Sequence, residues 1–104
     1  MSATPTQKSS VFEQVLRIPL GRVTTFGCIG KTTGINPRVV GWILSGMNDE
    51  EMSVYPWQRV VAKDGIISAL KLGFKGELQI QLLEKEGTLC ENGRIIDYEG
   101  CYWE

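Results

Sequence analysis

The chain has 104 residues, 42% of them hydrophobic and 22% charged, with a formal net charge of −1; that length supplies one modest core and excludes a second domain of similar size. Its longest apolar run, VVGWIL at 39–44, falls far short of the roughly 20 residues of a membrane helix. With no signal-peptide pattern either, a soluble, intracellular protein is expected. Three unpaired-looking cysteines, Cys28, Cys90 and Cys101, and the absence of histidine argue against a metal site, a cofactor and any Ser-His-Asp or Cys-His machinery.

Residues 1–9 are rich in Ser, Thr, Pro and Gln and read as a disordered tail. Ser10 to Glu13 has the form of a capping box, and Val11, Phe12, Val15 and Leu16 recur at helical spacing until Pro19 and Gly21, which predicts a first helix over about 10–18. Thr24 or Thr25 can cap a second, short helix that runs to about 33 and ends at Gly34. Asn36-Pro37 then reads as N-cap and first-turn proline of a third helix reaching about 47. Two short helices joined through a glycine outline a helix-turn-helix. On the third helix Val40, Ile43, Leu44 and Met47 share one face and are expected inside, whereas Arg38, Gly41, Trp42 and Ser45 face outward.

A loop is predicted over 48–56. Val60-Val61 and Ile66-Ile67 flank an Asp64-Gly65 turn signal and predict a hairpin. Residues 77–86, with Leu78, Leu82 and Leu83, form a further helix ended by Gly87, and Asn92-Gly93 marks a small terminal hairpin. Ahead of the first hairpin stands Trp57, between a proline that stiffens its backbone and a cationic, β-branched run. A side chain so presented either fills a small core or contacts a ligand.

Charge is unevenly spread. Residues 17–75 hold eight Lys or Arg against four acids, a net +4, while residues 76–104 hold two against seven, a net −5. A basic middle is compatible with a phosphate-facing surface as well as with ordinary solvated charge.

Four motifs, IPLGRVTTFGCIG, PRVVG, PWQRVVAKDG and LLEKEG, stand in that order. Together they resemble the C-terminal DNA-binding domain of the O6-alkylguanine-DNA alkyltransferases, over about residues 11–87. That family reads Ile-Pro-x-Gly-x-Val-x-Thr-Tyr-Gly, Arg-x-Val-Gly, Pro-Cys-His-Arg-Val and Leu-Leu-x-x-Glu-Gly. Four ordered motifs at similar spacing are far more specific than any one of them. The resemblance implies a mostly α fold with short β-hairpins, winged helix-turn-helix-like, with 10–87 as the DNA-binding domain and 88–104 as an extension forming a small hairpin packed on it.

In this resemblance Trp57 stands at the alkyl-accepting cysteine and Gln58 at the histidine that helps deprotonate it, the pattern of the alkyltransferase-like branch. An indole offers no thiolate, so the implied function is recognition without repair. The protein would bind O6-alkylguanine in double-stranded DNA through the minor groove, as a monomer, flip the base out, and mark it for nucleotide excision repair proteins. The implied lesion pocket comprises Trp57, Val60, Phe26 and Lys71, with the Trp57 and Val60 carbonyls accepting from the guanine amino group. Phe26 replaces a family tyrosine and keeps its ring without the hydroxyl. Arg38 matches the arginine finger that enters the gap in the base stack. The DNA-facing set is completed by Gly41, Trp42, Ser45, Asn48 and Arg59, although an arginine just before a strand, like Arg59, commonly serves a buried carboxylate or backbone carbonyls. Trp42 is large for a groove-facing position: its indole would clash, pack sideways on Phe26 or on the first helix, or contact a sugar. Without a Cys-His pair to serve, Glu86 is expected to be structural.

Three rival functions remain open at this level: alkyl transfer to another thiol, Cys28 being the one in the DNA-binding region; a helix-turn-helix regulator of undamaged DNA; and a protein adaptor using the acidic tail.

Overall fold

The computed structural model describes residues 3–68 and 74–104. Helix α1 spans Pro5–Leu16, so the expected disordered tail and the start at Ser10 are corrected. The Thr4 hydroxyl accepts from the Gln7 N–H at 3.1 Å and the Gln7 side chain accepts from the Thr4 N–H at 3.0 Å. Pro5, with φ preset for a helix, occupies the first helical position. This earlier capping box makes Ser10 to Glu13 the next turn of the same helix. Val11 and Val15 are fully buried beneath it.

Strand β1, Thr24–Thr25, leads into α2, Phe26–Thr33. Thr25 caps α2 by accepting from the Cys28 N–H at 3.0 Å. Gly34 closes α2 in the left-handed region at φ 74°, Ile35 turns inward, and Asn36 caps α3, Pro37–Ser45, by accepting from the Arg38 N–H at 2.9 Å. The helix-turn-helix is as the local signals predict. Val40, Ile43, Leu44 and Met47 are buried in one cluster with Val15, Ile18 and Ile29 of the first two helices and their flanks.

The predicted loop at 48–56 instead contains a short helix, α4, Asp49–Val54. Asn48 and Glu51 form a reciprocal capping box at 2.8 and 3.0 Å, and three acids sit in the first turn, where the helix dipole favours them. Six residues are too few to display a periodicity.

A 3-10 turn over Trp57–Arg59 precedes β2, Val60–Val61. β2 pairs parallel with β1, Thr24 opposite Val60 and Thr25 opposite Val61. The hairpin predicted around Asp64-Gly65 is therefore corrected: the turn exists, with both residues at positive φ and the Ala62 N–H donating to the Ile66 carbonyl at 2.9 Å across it, but the ladder of β2 is made with β1. Ile66 and Ile67 pair instead with the terminal hairpin, where Ile66 bridges Arg94 and the Ile67 N–H donates to the Gly93 carbonyl at 2.8 Å. Helix α5 spans Phe74–Lys85. Strands β3, Cys90–Glu91, and β4, Arg94–Ile95, form the expected hairpin about Asn92-Gly93. A last turn, α6, Tyr98–Cys101, returns the chain to Val23, whose N–H donates to the Cys101 carbonyl and whose carbonyl accepts from the Trp103 N–H, at 2.9 and 2.7 Å. The extension thus covers a second cluster of Val23, Val61, Ile67, Leu83 and Ile95.

The helix-turn-helix angle depends on a close approach at Gly30, where an added Cβ would lie 2.6 Å from the Ile35 carbonyl oxygen and 3.1 Å from Pro37 Cγ. Backbone cannot retreat as a flexible side chain can. Gly30→Ala is expected to lower stability by about 2 kcal/mol, read as a fall in the urea midpoint; an unchanged midpoint would show that the turn has slack.

Candidate functional site

The two-residue parallel pairing sets the site. β1 runs directly into Phe26 and β2 follows directly on Trp57–Arg59, so pairing Thr24 with Val60 brings Phe26 beside the Trp57 turn. The first helical turn of α3 lies there too. The result is a cavity of about 440 Å³. Arg38, Gly41, Leu44 and Ser45 of α3 line it together with Phe26, Trp57 and Val60, and α5 adds Lys75 and Gln79. The walls are apolar and aromatic, and the only charges on the described lining are the cations Arg38 and Lys75.

Trp57 is 7% exposed. It belongs to the α1–α3 core cluster and also lines the cavity, so both readings of this residue hold. The turn that carries it is fastened at several points. Arg59 donates to Glu86 through Nε at 3.1 Å and Nη2 at 2.8 Å, and through Nη1 to the Ile18 carbonyl at 2.9 Å. Gln58 donates to the same Glu86 carboxylate at 2.9 Å. Gln79, 3% exposed, donates to the carbonyls of Gln58 and Val60 at 3.0 and 2.9 Å. The Trp57 carbonyl accepts from the Val60 N–H.

Of the residues expected at the site, Trp57, Val60, Phe26, Arg38, Gly41 and Ser45 converge on this one cavity. Lys71 lies outside the described residues. Trp42 lines a separate groove with Ala3, Lys8 and Phe12 on the α1 side of α3, the sideways placement on the first helix. The side chain of Asn48, on the exposed surface, caps α4, and that of Arg59 is taken up by Glu86 and Ile18, only 14% exposed. Neither lines the cavity. Glu86 is structural, the common acceptor for Gln58 and Arg59.

Lys75 and Gln79 were missed. They stand four apart on one face of α5, a pattern that needs the helix to begin at 74 rather than 77. At Gly41 an added Cβ would meet nothing within 4 Å, so the fold itself makes no demand for glycine there.

None of the three cysteines lines the cavity. Cys90 and Cys101 flank the second cluster, and burial pushes both thiols above their ordinary range, which suppresses the nucleophilic thiolate. Cys28 faces the C-terminal extension, where it helps, after burial, to push the Tyr102 phenol up to about 12.

Residues 6–88 match the family model described as the DNA-binding domain of 6-O-methylguanine DNA methyltransferase. A methylated-DNA–protein-cysteine methyltransferase of Saccharolobus islandicus is 41% identical over 79 residues, 76% of this chain and 49% of that protein. The chain thus spans about half the length of such curated relatives. A protein of Escherichia coli named "DNA base-flipping protein" is 36% identical over 96 residues, 89% of this chain and 70% of that one. Among solved structures, Schizosaccharomyces pombe Atl1 in complex with damaged DNA containing O6-carboxymethylguanine superposes with a TM-score of 0.87 at 26% identity, over 98% of both chains. Mycobacterium tuberculosis O6-methylguanine methyltransferase shares the fold at a TM-score of 0.64 and 22% identity, over 86% of this chain and 53% of that one. The chain belongs to the 6-O-methylguanine DNA methyltransferase family, through its DNA-binding domain.

Glu86→Ala would leave the Arg59 guanidinium with Ile18 alone and the Gln58 amide without its acceptor, both away from bulk water. A loss of about 3 kcal/mol is expected, measured by thermal or urea unfolding. A loss below about 0.5 kcal/mol, ordinary for a surface substitution, would show that the clamp is dispensable.

Proposed function

We propose that this chain is a non-enzymatic sensor of O6-alkylguanine in double-stranded DNA. The observation that carries the reading is the cavity joining Arg38 of α3 to Trp57, in a chain that shares its fold along nearly its whole length with Atl1 bound to damaged DNA. In this reading α2 and α3 dock in the minor groove, Arg38 fills the gap in the base stack, and the extruded guanine enters the cavity between aromatic and aliphatic walls. Extrusion costs a few kcal/mol, and least for a base that already pairs badly, which contributes selectivity. The Val60 carbonyl already accepts from Gln79, yet a carbonyl has two lone pairs, and the second suits the guanine amino group. An apolar wall favours the alkyl group by about 0.8 kcal/mol per buried methylene.

Trp57 decides the chemistry. Alkyl transfer to the protein needs a thiolate at the lesion, and an indole supplies none. The methyltransferase names of the curated relatives favour transfer as the second reading, but the three thiols of this chain lie away from the cavity lining. A sensor that removes nothing must hand the lesion on. Nucleotide excision repair proteins are the proposed recipients, and the protein acts as a monomer wherever the genome is held: the nucleoid-bearing cytoplasm or the nucleus.

Fluorescence anisotropy at fixed salt, with one duplex bearing guanine and the same duplex bearing O6-methylguanine, tests recognition. Tighter binding to the lesion is expected, weakened roughly tenfold, about 1.4 kcal/mol, by Arg38→Ala. Equal affinity for the two duplexes would overturn damage sensing and leave a reader of undamaged DNA.

The non-enzymatic half has its own readout. Intact-mass spectrometry after incubation with the methylated duplex should return the unmodified protein mass, because no thiolate is available beside the lesion. A gain of one methyl group would establish transfer.

A further inference from the structure

Lys75 is the charged part of the cavity that the reading above leaves without a task. Its side chain is half-buried, and its ammonium donates to the Ser45 carbonyl at 2.8 Å. Ser45 ends α3, where carbonyls lack intrahelical partners and the helix dipole is negative. The cation is thereby held at the cavity wall instead of trailing into solvent. An ammonium has three donors and no acceptor; Ser45 takes one. The same cavity is lined by Phe26, Leu44, Trp57 and Val60, and no acid appears among the described lining residues. Apolar walls reduce the screening of a nearby charge, so a fixed cation here gives the cavity a positive potential.

We propose that Lys75 makes this cavity discriminate by the charge of the lesion's substituent, favouring an O6 group that ends in a carboxylate over a neutral group of the same shape. The inference rests on the lesion-binding reading and names the substrate class within it. A carboxylate entering the cavity meets an ammonium already oriented by the Ser45 carbonyl, and the pair forms a charge-assisted hydrogen bond, the stronger kind. A neutral isostere keeps the apolar contacts but loses the ionic component. The phosphates of the DNA backbone present the same oxyanion chemistry, and they differ from the lesion carboxylate in being present on every duplex.

Anisotropy separates the two sources, using three duplexes that differ in one base: guanine, O6-carboxymethylguanine and its uncharged isostere O6-carbamoylmethylguanine. The wild type is expected to favour the carboxylate over the carbamoyl lesion about tenfold, about 1.4 kcal/mol. Lys75→Met should bring that ratio close to one, and Lys75→Arg should retain it. Circular-dichroism melts of both variants report folding, and the wild-type ratio tests the proposal without any variant. A wild-type ratio near one overturns it. So does a Lys75→Met variant that weakens all three duplexes by the same factor, since the cation would then serve a phosphate. If neither lesion is preferred over guanine, the damage-sensing reading itself has failed, a result distinct from a failure of charge selection alone.

Discussion

The ion pair between Arg59 and Glu86 is the constraint on which the site depends. Both side chains are mostly withdrawn from water, at 14% and 12% exposure, so neither is tolerable without the other. Their geometry is close to a fork, with two guanidinium nitrogens on two carboxylate oxygens, and the third guanidinium nitrogen donates to the backbone after α1. One charge pair therefore joins three segments: the end of α1, the Trp57 turn and the end of α5. Gln58 and Gln79 add neutral hydrogen bonds to the same turn. A residue in a three-residue 3-10 turn would ordinarily be free to swing. Here its flanks are held, and the Trp57 ring is confined to the boundary between core and cavity.

Holding the turn also fixes the parallel contact of β1 with β2, and with it the distance between Phe26 and Trp57. Two residues per strand contribute little on their own, since sheets this small are marginal without packing. The pairing persists because Val60 and Val61 are buried in different clusters, one beneath the helix-turn-helix and one beneath the C-terminal extension. The residues after Gly87 thereby take part in the site at second hand. Their pairing with Val23 closes the cluster against which β2 rests.

What the sequence disclosed follows from how local each signal is. The helix-turn-helix was legible because its determinants, Thr25, Gly34, Asn36 and Pro37, act within a few residues of themselves. Hydrophobic spacing likewise placed Val40, Ile43, Leu44 and Met47 inside. The β1–β2 contact was not legible. Strands of two residues carry no alternation, and the choice of Thr24–Thr25 as partner for Val60–Val61, in place of Ile66–Ile67, is made by tertiary packing. Ambiguity of a different kind moved the start of α1: two capping boxes stand one behind the other, and the proline belongs to the first. At the site, the ordered motifs brought six residues together on one cavity, whereas the identity of the carboxylate that Arg59 serves, Glu86, could not be recognised from sequence separation alone. Lys75 was hidden by placing the start of α5 too late, and Gln79, inside the predicted helix, has as its partners the carbonyls of Gln58 and Val60, which no local pattern marks.

Two glycines of the helix-turn-helix separate what the fold requires from what it leaves to a ligand. At Gly30 the backbone of the following turn comes so near that no side chain fits, and glycine is explained by packing alone. Gly41 is the opposite case. It lies inside α3, where glycine is about 1 kcal/mol less favourable than alanine, and a Cβ there would meet open space. Packing among the described residues does not require it. The position lines the cavity between Arg38 and Ser45, so a bare backbone there lowers the wall facing whatever enters. A helix that forgoes stability at one half-buried position, beside an arginine with no side-chain partner among the described residues and a confined tryptophan, presents its bare backbone to the cavity.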